Sequence, residues 1–352
     1  MESVNRIKQT LTRKCYDFMD TSVNNPAMRK YIILFLFVSC FTIGYSQLVK
    51  GIVLDIKTKT SIPFASVYYN GTFAGTISDK NGCFELNRSE HMSMPLIISA
   101  IGYYSFILTD FSFSQPIKIY LKPKEYEIKE TVIKSRSLTE VRKKNMRLFK
   151  KEFLGLSNNA RKCNIMNEKD ITFNYYSDKD TLKAFTSKPI LIENNSLGYK
   201  ITYYLDKFEY YRKNGEILLS GNIVFKEDEA KGIDEKEYAE KRKDTYLGSR
   251  MHFFRSLSLN DSIVSGFTIT DATSKTLYLN NIVVVDRKDN RYLSYPKGFY
   301  INSPAGTSYV TVLKNYVFFD RNGYFDGSGL NWSGYMGDQR VADWLPYEYT
   351  IE

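Results

Sequence analysis

The sequence predicts a mainly β protein: an N-terminal β-sandwich, a connecting helix, then a second β-rich α+β domain. Three observations carry that expectation. The chain holds 28 Tyr and 23 Phe among 352 residues, side chains that suit half-buried strands. Short runs of alternating apolar and polar residues recur along it, bounded by Gly, Pro, Asp and Asn. Helical periodicity stands out only near 135–155 and 234–259. The length suits about two domains of roughly 100 to 200 residues each, and a 43% hydrophobic composition is enough for real cores.

Met28 to Gln47, "MRKYIILFLFVSCFTIGYSQ", joins the cations Arg29 and Lys30 to an apolar run from Tyr31 to Val38, with Gly44 and Ser46 ahead of Gln47. This order predicts a secretory signal peptide over 28–46, cleaved between Ser46 and Gln47. A retained anchor helix is the alternative, but the run is shorter than the roughly 20 residues a span needs, and Ser39, Cys40 and Thr42 interrupt it. Residues 1–27 then read as a spurious extension, with translation starting at Met28. "FVSC" loosely follows a lipobox, with Phe37 in place of the usual Leu, so lipidation at Cys40 is a second route to the membrane. The expected location is the periplasm or outer membrane.

Removing Met1 to Ser46 takes six of 49 Lys and Arg and three of 39 acids, which leaves 43 cations against 36 acids and a net charge of +7. Spread positive charge on an exported chain suits anionic envelope material and argues against nucleic acid as a partner. Cys15 and Cys40 fall in the removed segments. Cys83 and Cys163 remain, in different predicted domains, and are expected as free, mostly buried thiols.

In the first domain, 47–135, strands are expected at Val49–Leu54, Phe64–Tyr69, Ala74–Ser78, Phe84–Asn87, Leu96–Ala100, Tyr104–Leu108, Ile117–Leu121 and Glu127–Lys134, as an antiparallel sandwich. In "PFASVYYNG", Phe64, Ser66 and Tyr68 point one way, and Ala65, Val67 and Tyr69 the other. "PLIISAIGY" is apolar on both faces, as a central strand requires. The acid-rich stretch "GTISDKNGCFEL" raises the question of a calcium loop. Counted from Asp79, the fifth position is Cys83 and the Gly falls at the fourth, so the oxygen set fails. A hairpin fits instead, with Asp79 capping the turn and Asn81 and Gly82 tolerating positive φ.

These motifs carry a resemblance. "GIVLD" at Gly51–Asp55, "TSIPFASV" at Thr60–Val67, "TISDKNGCFEL" at Thr76–Leu86 and "SAIGY" at Ser99–Tyr103 stand in the order of the carboxypeptidase-regulatory-like domain, a transthyretin-like β-sandwich, which the segment resembles over roughly 85 residues. The resemblance implies a module found beside metallocarboxypeptidase catalytic domains and at the N-termini of TonB-dependent receptors of Gram-negative bacteria. It implies an envelope location and an accessory role, with no catalytic machinery in the sandwich itself.

A basic amphipathic helix is expected over 136–155, with Ser137 and Glu140 as a capping box and Gly155 as its stop. Leu138, Val141, Leu148, Phe149 and Phe153 form its apolar stripe, and Arg142, Lys143, Lys144, Arg147, Lys150 and Lys151 its basic side. Such a helix packs on its own domain or lies on an anionic membrane. Residues 156–352 form the β-rich C-terminal domain, with hairpin turns at Lys213–Glu216 and Asp320–Gly323 and a helical interruption within Asp234–Leu259, broken at Gly248. In the last segment Arg340, Asp343, Trp344 and Tyr347 are the candidate binding surface, the alternative being a terminus tucked onto its domain. The region is similar to the C-terminal part of exported proteins with the same N-terminal sandwich, through the blocks "ENNSLGYKI", "GSRMHFFRSL" and "GDQRVADWLP".

A carboxypeptidase is not expected: its zinc site needs two His with a Glu, and the mature chain has only His91 and His252, neither in a His-x-x-Glu pair. Serine-hydrolase, phosphate-loop and dinucleotide fingerprints are missing, and no metal or cofactor is expected. Paired carboxylates for glycoside hydrolysis, Glu193 and Asp206 for example, cannot be chosen from sequence. The expected function is a non-catalytic exported binding or accessory module, with envelope proteins, a TonB-dependent uptake system, or a glycan or peptide as partner. The alternative is a glycan or peptide hydrolase with its site in the C-terminal domain.

Overall fold

Alternation along the first strand already separates a buried row from an open one. In β1 (Leu48–Asp55), Val49, Gly51, Val53 and Asp55 face inward. The computed structural model describes residues 48–87, 94–109, 115–124, 135–228, 235–259 and 266–351. The expected extension 1–27, signal peptide 28–46, cleavage site Ser46–Gln47, Cys40, His91 and Glu127–Lys134 strand lie outside them.

The sandwich follows as β2 (Ser66–Tyr69), β3 (Gly75–Ile77), β4 (Cys83–Asn87), β5 (Leu96–Ser99), β6 (Phe106–Leu108) and β7 (Ile117–Leu121). One sheet has the order β4-β1-β7 and the other β3-β2-β5-β6. Val53, Phe84 and Ile119 of the first meet Val67, Tyr69 and Ile98 of the second in one core. Every residue of β5 is buried, as its two apolar faces require. The sandwich is not purely antiparallel: β7 runs parallel to β1, because the chain changes sheets between β6 and β7. Cys83 is exposed, contrary to the expectation of a buried thiol, because it falls on the outer row of β4. Cys163 is half-buried, and burial pushes its thiol up to about 12.

Two of the sequence motifs end on each other. Asp55 Oδ1 accepts the backbone N–H of Lys57 (2.6 Å) and Thr58 (2.9 Å), while Oδ2 accepts the Tyr103 hydroxyl (2.9 Å). The Thr58 N–H leads these bonds in holding the carboxyl below the usual aspartate range.

Helix α1 (Ser135–Leu154) and the single turn α2 (Asn158–Arg161) lead into the second sheet. α1 already includes Ser137 and therefore starts ahead of the expected capping box. Gly155 at φ +101° ends it. Met146, Phe149 and Phe153, spaced i, i+3, i+7, are buried, whereas Val141 is exposed. Half of the basic side is tied down. Arg142 donates to the carbonyls of Ile171 and Glu168 (both 2.8 Å), Lys150 pairs with Glu168, and Lys151 pairs with Glu152 at 3.0 Å.

The sheet that α1 covers contains β8 (Cys163–Ile165), β9 (Ile171–Tyr176), β10 (Thr181–Thr186), β11 (Ile190–Asn194), β12 (Tyr199–Tyr211) and β13 (Ile217–Glu227). β12 pairs with β13 along one edge and with β11 and then β10 along the other. α3 (Glu235–Tyr246) and α4 (Arg250–Ser258) follow, separated at Gly248, which has φ +77°. α4 carries Phe253, Phe254 and Leu257 into a separate core. That core lies among β14 (Thr268–Thr270), β15 (Val283–Val285), β16 (Arg291–Leu293), β17 (Phe299–Ser303), β18 (Gly306–Val312), β19 (Val317–Phe319) and β20 (Leu330–Gly334). The C-terminal part is thus two cores, and Val341, Ala342 and Leu345 return the chain to the first of them.

The sandwich is fastened to this body by its β2–β3 loop, and Leu48–Glu352 clusters as one compact unit. Gly71 N–H donates to the Ile223 carbonyl (2.8 Å), Phe225 N–H to that of Thr72 (3.1 Å), and Tyr347 N–H to that of Gly71 (2.8 Å). Tyr204 stacks on Tyr68 at 5.3 Å and donates to Ser66 Oγ (2.6 Å).

Gly71 has φ +77°, and a Cβ there would lie 2.7 Å from the Tyr347 ring. Gly71→Ala is therefore expected to lower the unfolding free energy by about 2 kcal/mol or more, from backbone strain and the clash together, measured by urea unfolding. Because the folded pKa of Asp55 is depressed, its contribution is full above the unfolded value of about 3.9 and is lost as pH falls through the folded value. Asp55→Asn is expected to flatten the acid limb of the stability-versus-pH curve, measured by unfolding at a series of acid pH values.

Candidate functional site

A cleft of about 810 Å³ opens where the end of α1, the α2 turn, the last turns of α3 and the Tyr335–Asp343 segment meet. Its floor is polar and organised around Asp343. Asp343 Oδ1 accepts the Ser157 hydroxyl (2.7 Å) and the Asn159 amide (2.9 Å), and the Arg340 backbone N–H also bonds the carboxyl. Burial nevertheless raises the Asp343 pKa, against these bonds and the nearby Arg250. Asn159 extends the network, donating to Thr245 Oγ1 (2.9 Å) and accepting from Ser196 Oγ (2.7 Å). Thr245 in turn donates to the Lys241 carbonyl (2.7 Å).

Two of the three C-terminal blocks line the cleft, and the third contacts its wall. In "ENNSLGYKI", Asn194 donates to the Ala342 carbonyl (2.9 Å), and Ser196 lines the cleft. In "GSRMHFFRSL", Arg250 donates to the Gln339 carbonyl (2.8 Å) and lies over the Trp344 ring at 5.7 Å. Burial pulls its guanidinium down to about 10. In "GDQRVADWLP", Asp338, Gln339, Arg340 and Asp343 line the cleft directly.

The candidate surface therefore divides. Arg340 and Asp343 face the cleft. Trp344 packs against the core beside Tyr203 at 6.4 Å, and its Nε1 lacks a hydrogen-bond partner. Tyr347 serves the sandwich junction, beside Gly71 and edge-on to Tyr324 at 5.9 Å. Ser157, Asn159, Thr245 and Tyr335 are cleft residues that sequence reasoning missed. They are ordinary polar residues on separate segments, and only Ser196, inside a recognised block, carried a signal.

The other sequence candidates have structural positions. Asp79 Oδ1 accepts the N–H of Asn81 and of Cys83, both at 2.8 Å, and of the expected pair only Gly82 adopts positive φ, +76°. His252 Nδ1 accepts the Gly248 N–H (3.1 Å), and its ring lies between Tyr246 (4.8 Å) and Phe267 (4.9 Å). Burial, with Arg255 nearby, lowers the His252 pKa. Asp206 sits at the sandwich junction, where it accepts from Asn222 Nδ2 (3.1 Å) and burial raises its pKa; neither it nor Glu193 lines the cleft. Among the described residues, no three His, Cys, Asp or Glu side chains gather into a group that could hold a metal, and no helix is long and apolar enough to cross a membrane.

Residues 49–133 match the family described as a CarboxypepD_reg-like domain, so the N-terminal sandwich is a domain of that kind. The β-rich region after it has no family match. A comparison with curated proteins found no match to the chain.

Asp343→Ala would leave the Ser157 and Asn159 donors without their acceptor and is expected to cost about 1–3 kcal/mol in urea unfolding. A raised folded pKa gives stability that is greatest at low pH and declines as pH rises from the unfolded value of about 3.9 through the folded one. Asp343→Asn keeps one acceptor oxygen, so it is expected to cost less than the alanine change and to remove that decline.

Proposed function

We propose that this chain is an exported, non-catalytic envelope protein that binds a peptide in the Asp343 cleft, as an accessory to an outer-membrane uptake system of the TonB-dependent kind. The observation that carries the reading is that two separate sequence blocks line one cleft of about 810 Å³, a volume in the range of ligand sites, while a third braces its wall through Arg250 and the Gln339 carbonyl. Envelope placement draws on the signal-peptide pattern of Met28–Gln47 and on the family of residues 49–133. A peptide suits the lining better than a glycan. Sugar rings stack on aromatic platforms, and Tyr335 is the single aromatic among the lining residues, which are otherwise mostly charged or polar.

A hydrolase is the second reading, favoured by the raised pKa of Asp343 in a cleft that also holds Asp244 and Asp338. Against it, the Asp343 carboxyl is already committed to Ser157, Asn159 and the Arg340 N–H.

Purified protein incubated with a proteolytic digest of envelope extract is expected to retain peptides, detected by mass spectrometry after gel filtration. Asn158→Trp, which places a large ring at an exposed lining position, is expected to reduce retention about tenfold or more. Equal retention by the variant would overturn the cleft assignment. Progressive cleavage of the peptides, abolished by Asp343→Asn, would establish the hydrolase instead, and recovery of uncleaved protein only in the cytoplasm would overturn export.

A further inference from the structure

Positive charge is concentrated on α1. Its 20 residues hold seven Lys and Arg against two Glu, so one helix carries half of the chain's net charge of +10. The rotation of that helix is fixed from inside. Phe149 meets Phe208 edge-on at 4.8 Å, Phe153 meets Tyr203 at 4.9 Å, and Arg142 is held by the carbonyls of Ile171 and Glu168. With that side buried, Lys143, Lys144 and Arg147, at i, i+1 and i+4, are left exposed on the opposite side. Among the described residues none of the three makes an ion pair or a hydrogen bond, whereas Lys150 and Lys151 are matched by Glu168 and Glu152. The acids of the adjoining 168–170 turn are engaged as well, Glu168 with Lys150 and Asp170 with Lys188 at 3.2 Å. Glu140, one turn before Lys144, offsets one of the free charges at short range, and the helix keeps the rest of its excess. An apolar margin borders the row: Val141 is exposed and Leu148, seven residues on, is half-buried. A charged surface needs cations on one side of a rigid element rather than in one side-chain geometry, and the packing of α1 supplies that side.

We propose that the outer side of α1 docks on an anionic phospholipid membrane, with Lys143, Lys144 and Arg147 over the headgroups and the Val141–Leu148 margin against the interface. Packing on its own domain and lying on a membrane are then not alternatives for this helix. The aromatic side does the first and the basic side the second. Complementary charge argues for an anionic surface, and apolar side chains bordering the cations are the pattern of a helix at a lipid interface, which a soluble polyanion would leave unused. The contact also places the cleft. Lys151, Glu152 and Gly155, at the end of α1, belong to its lining, so a docked helix sets the cleft beside the membrane surface. What the cleft binds has no bearing on this contact.

The test is flotation of the purified protein with vesicles of phosphatidylcholine alone or mixed equally with phosphatidylglycerol. At about fivefold per engaged cation, the protein is expected to bind the anionic vesicles about a hundredfold more tightly, and to lose that preference as salt rises from about 0.1 M to about 0.5 M. The triple change Lys143→Gln, Lys144→Gln, Arg147→Gln is expected to remove most of the preference. It should leave the urea midpoint unchanged, because the three side chains are exposed and unpaired. Lys80→Gln, Lys118→Gln, Lys122→Gln takes the same net charge from exposed positions on the sandwich and is expected to keep most of it. Equal binding to both kinds of vesicle would overturn the proposal. Equal loss in the two triple variants would overturn the α1 assignment in favour of net charge alone. Retention on heparin resin without binding to the anionic vesicles would overturn the lipid in favour of a soluble polyanion.

Discussion

The constraint on which the rest depends is the parity of β12. Through its first half Tyr199, Ile201, Tyr203 and Leu205 turn to the core under α1, while Tyr204, on the opposite face, stacks on Tyr68 of the sandwich. A strand of 13 residues with strict alternation would keep only odd positions in that core. The pairing with β13 slips between Leu205 and Lys207, which makes Asp206 an extra residue and moves the inward row to even numbers. Phe208 therefore meets Phe149 edge-on at 4.8 Å, while Phe153 meets Tyr203 at 4.9 Å on the near side of the slip. Without the slip, a single register could not satisfy both aromatic contacts of α1. Asp206 itself is left at the sandwich junction, beside Lys124, whose ammonium donates to the Leu205 carbonyl at 3.0 Å.

The same chemistry, an aspartate that accepts backbone N–H groups, builds corners throughout the protein. Asp79, Asp271, Asp286 and Asp320 each bond the N–H two and four residues ahead, and the third residue ahead has positive φ in each case. That residue is Gly82 and Gly323 in two turns and Ser274 and Asp289 in the others, so the carboxylate contacts help hold a backbone that glycine would adopt without strain. An acid-rich turn in this sequence is thus a structural corner. Asp343 differs in its donors: it gathers the side chains of Ser157 and Asn159, from outside its own turn, and so ties the returning C-terminus to the exit from α1.

The legibility of the sequence follows the range of the interaction. The strands of the sandwich, the Asp79 corner and the break at Gly248 are set by period-two alternation, turn chemistry and positive φ, all of which act within a few residues. The meeting of Asp55 with Tyr103 spans 48 residues, and nothing local announces it, although both residues closed recognised motifs. The parallel pairing of β1 with β7 was hidden for the same reason, since it reflects a change of sheet by the chain. Helical period places Val141 in the apolar stripe of α1, yet it is exposed, because the period gives the width of a face while the partner, here Phe208 and Tyr203, decides its rotation. Of the candidate surface, Arg340 and Asp343 reach the cleft and Trp344 and Tyr347 do not, a division set by which core each neighbour packs on.

The position of the cleft also bears on the role of the N-terminal domain. A regulatory-like sandwich on a flexible tether would report nothing about a distant site. Here the C-terminal segment touches both: Arg340 and Asp343 line the cleft, and four residues later Tyr347 donates its N–H to Gly71 and packs on it. Glu348 continues the contact by accepting the Phe73 N–H at 2.9 Å. Val341, Ala342 and Leu345 are buried between these points, so the segment is anchored along its length. The β2–β3 loop of the sandwich and the cleft wall are therefore joined through one short, closely packed segment.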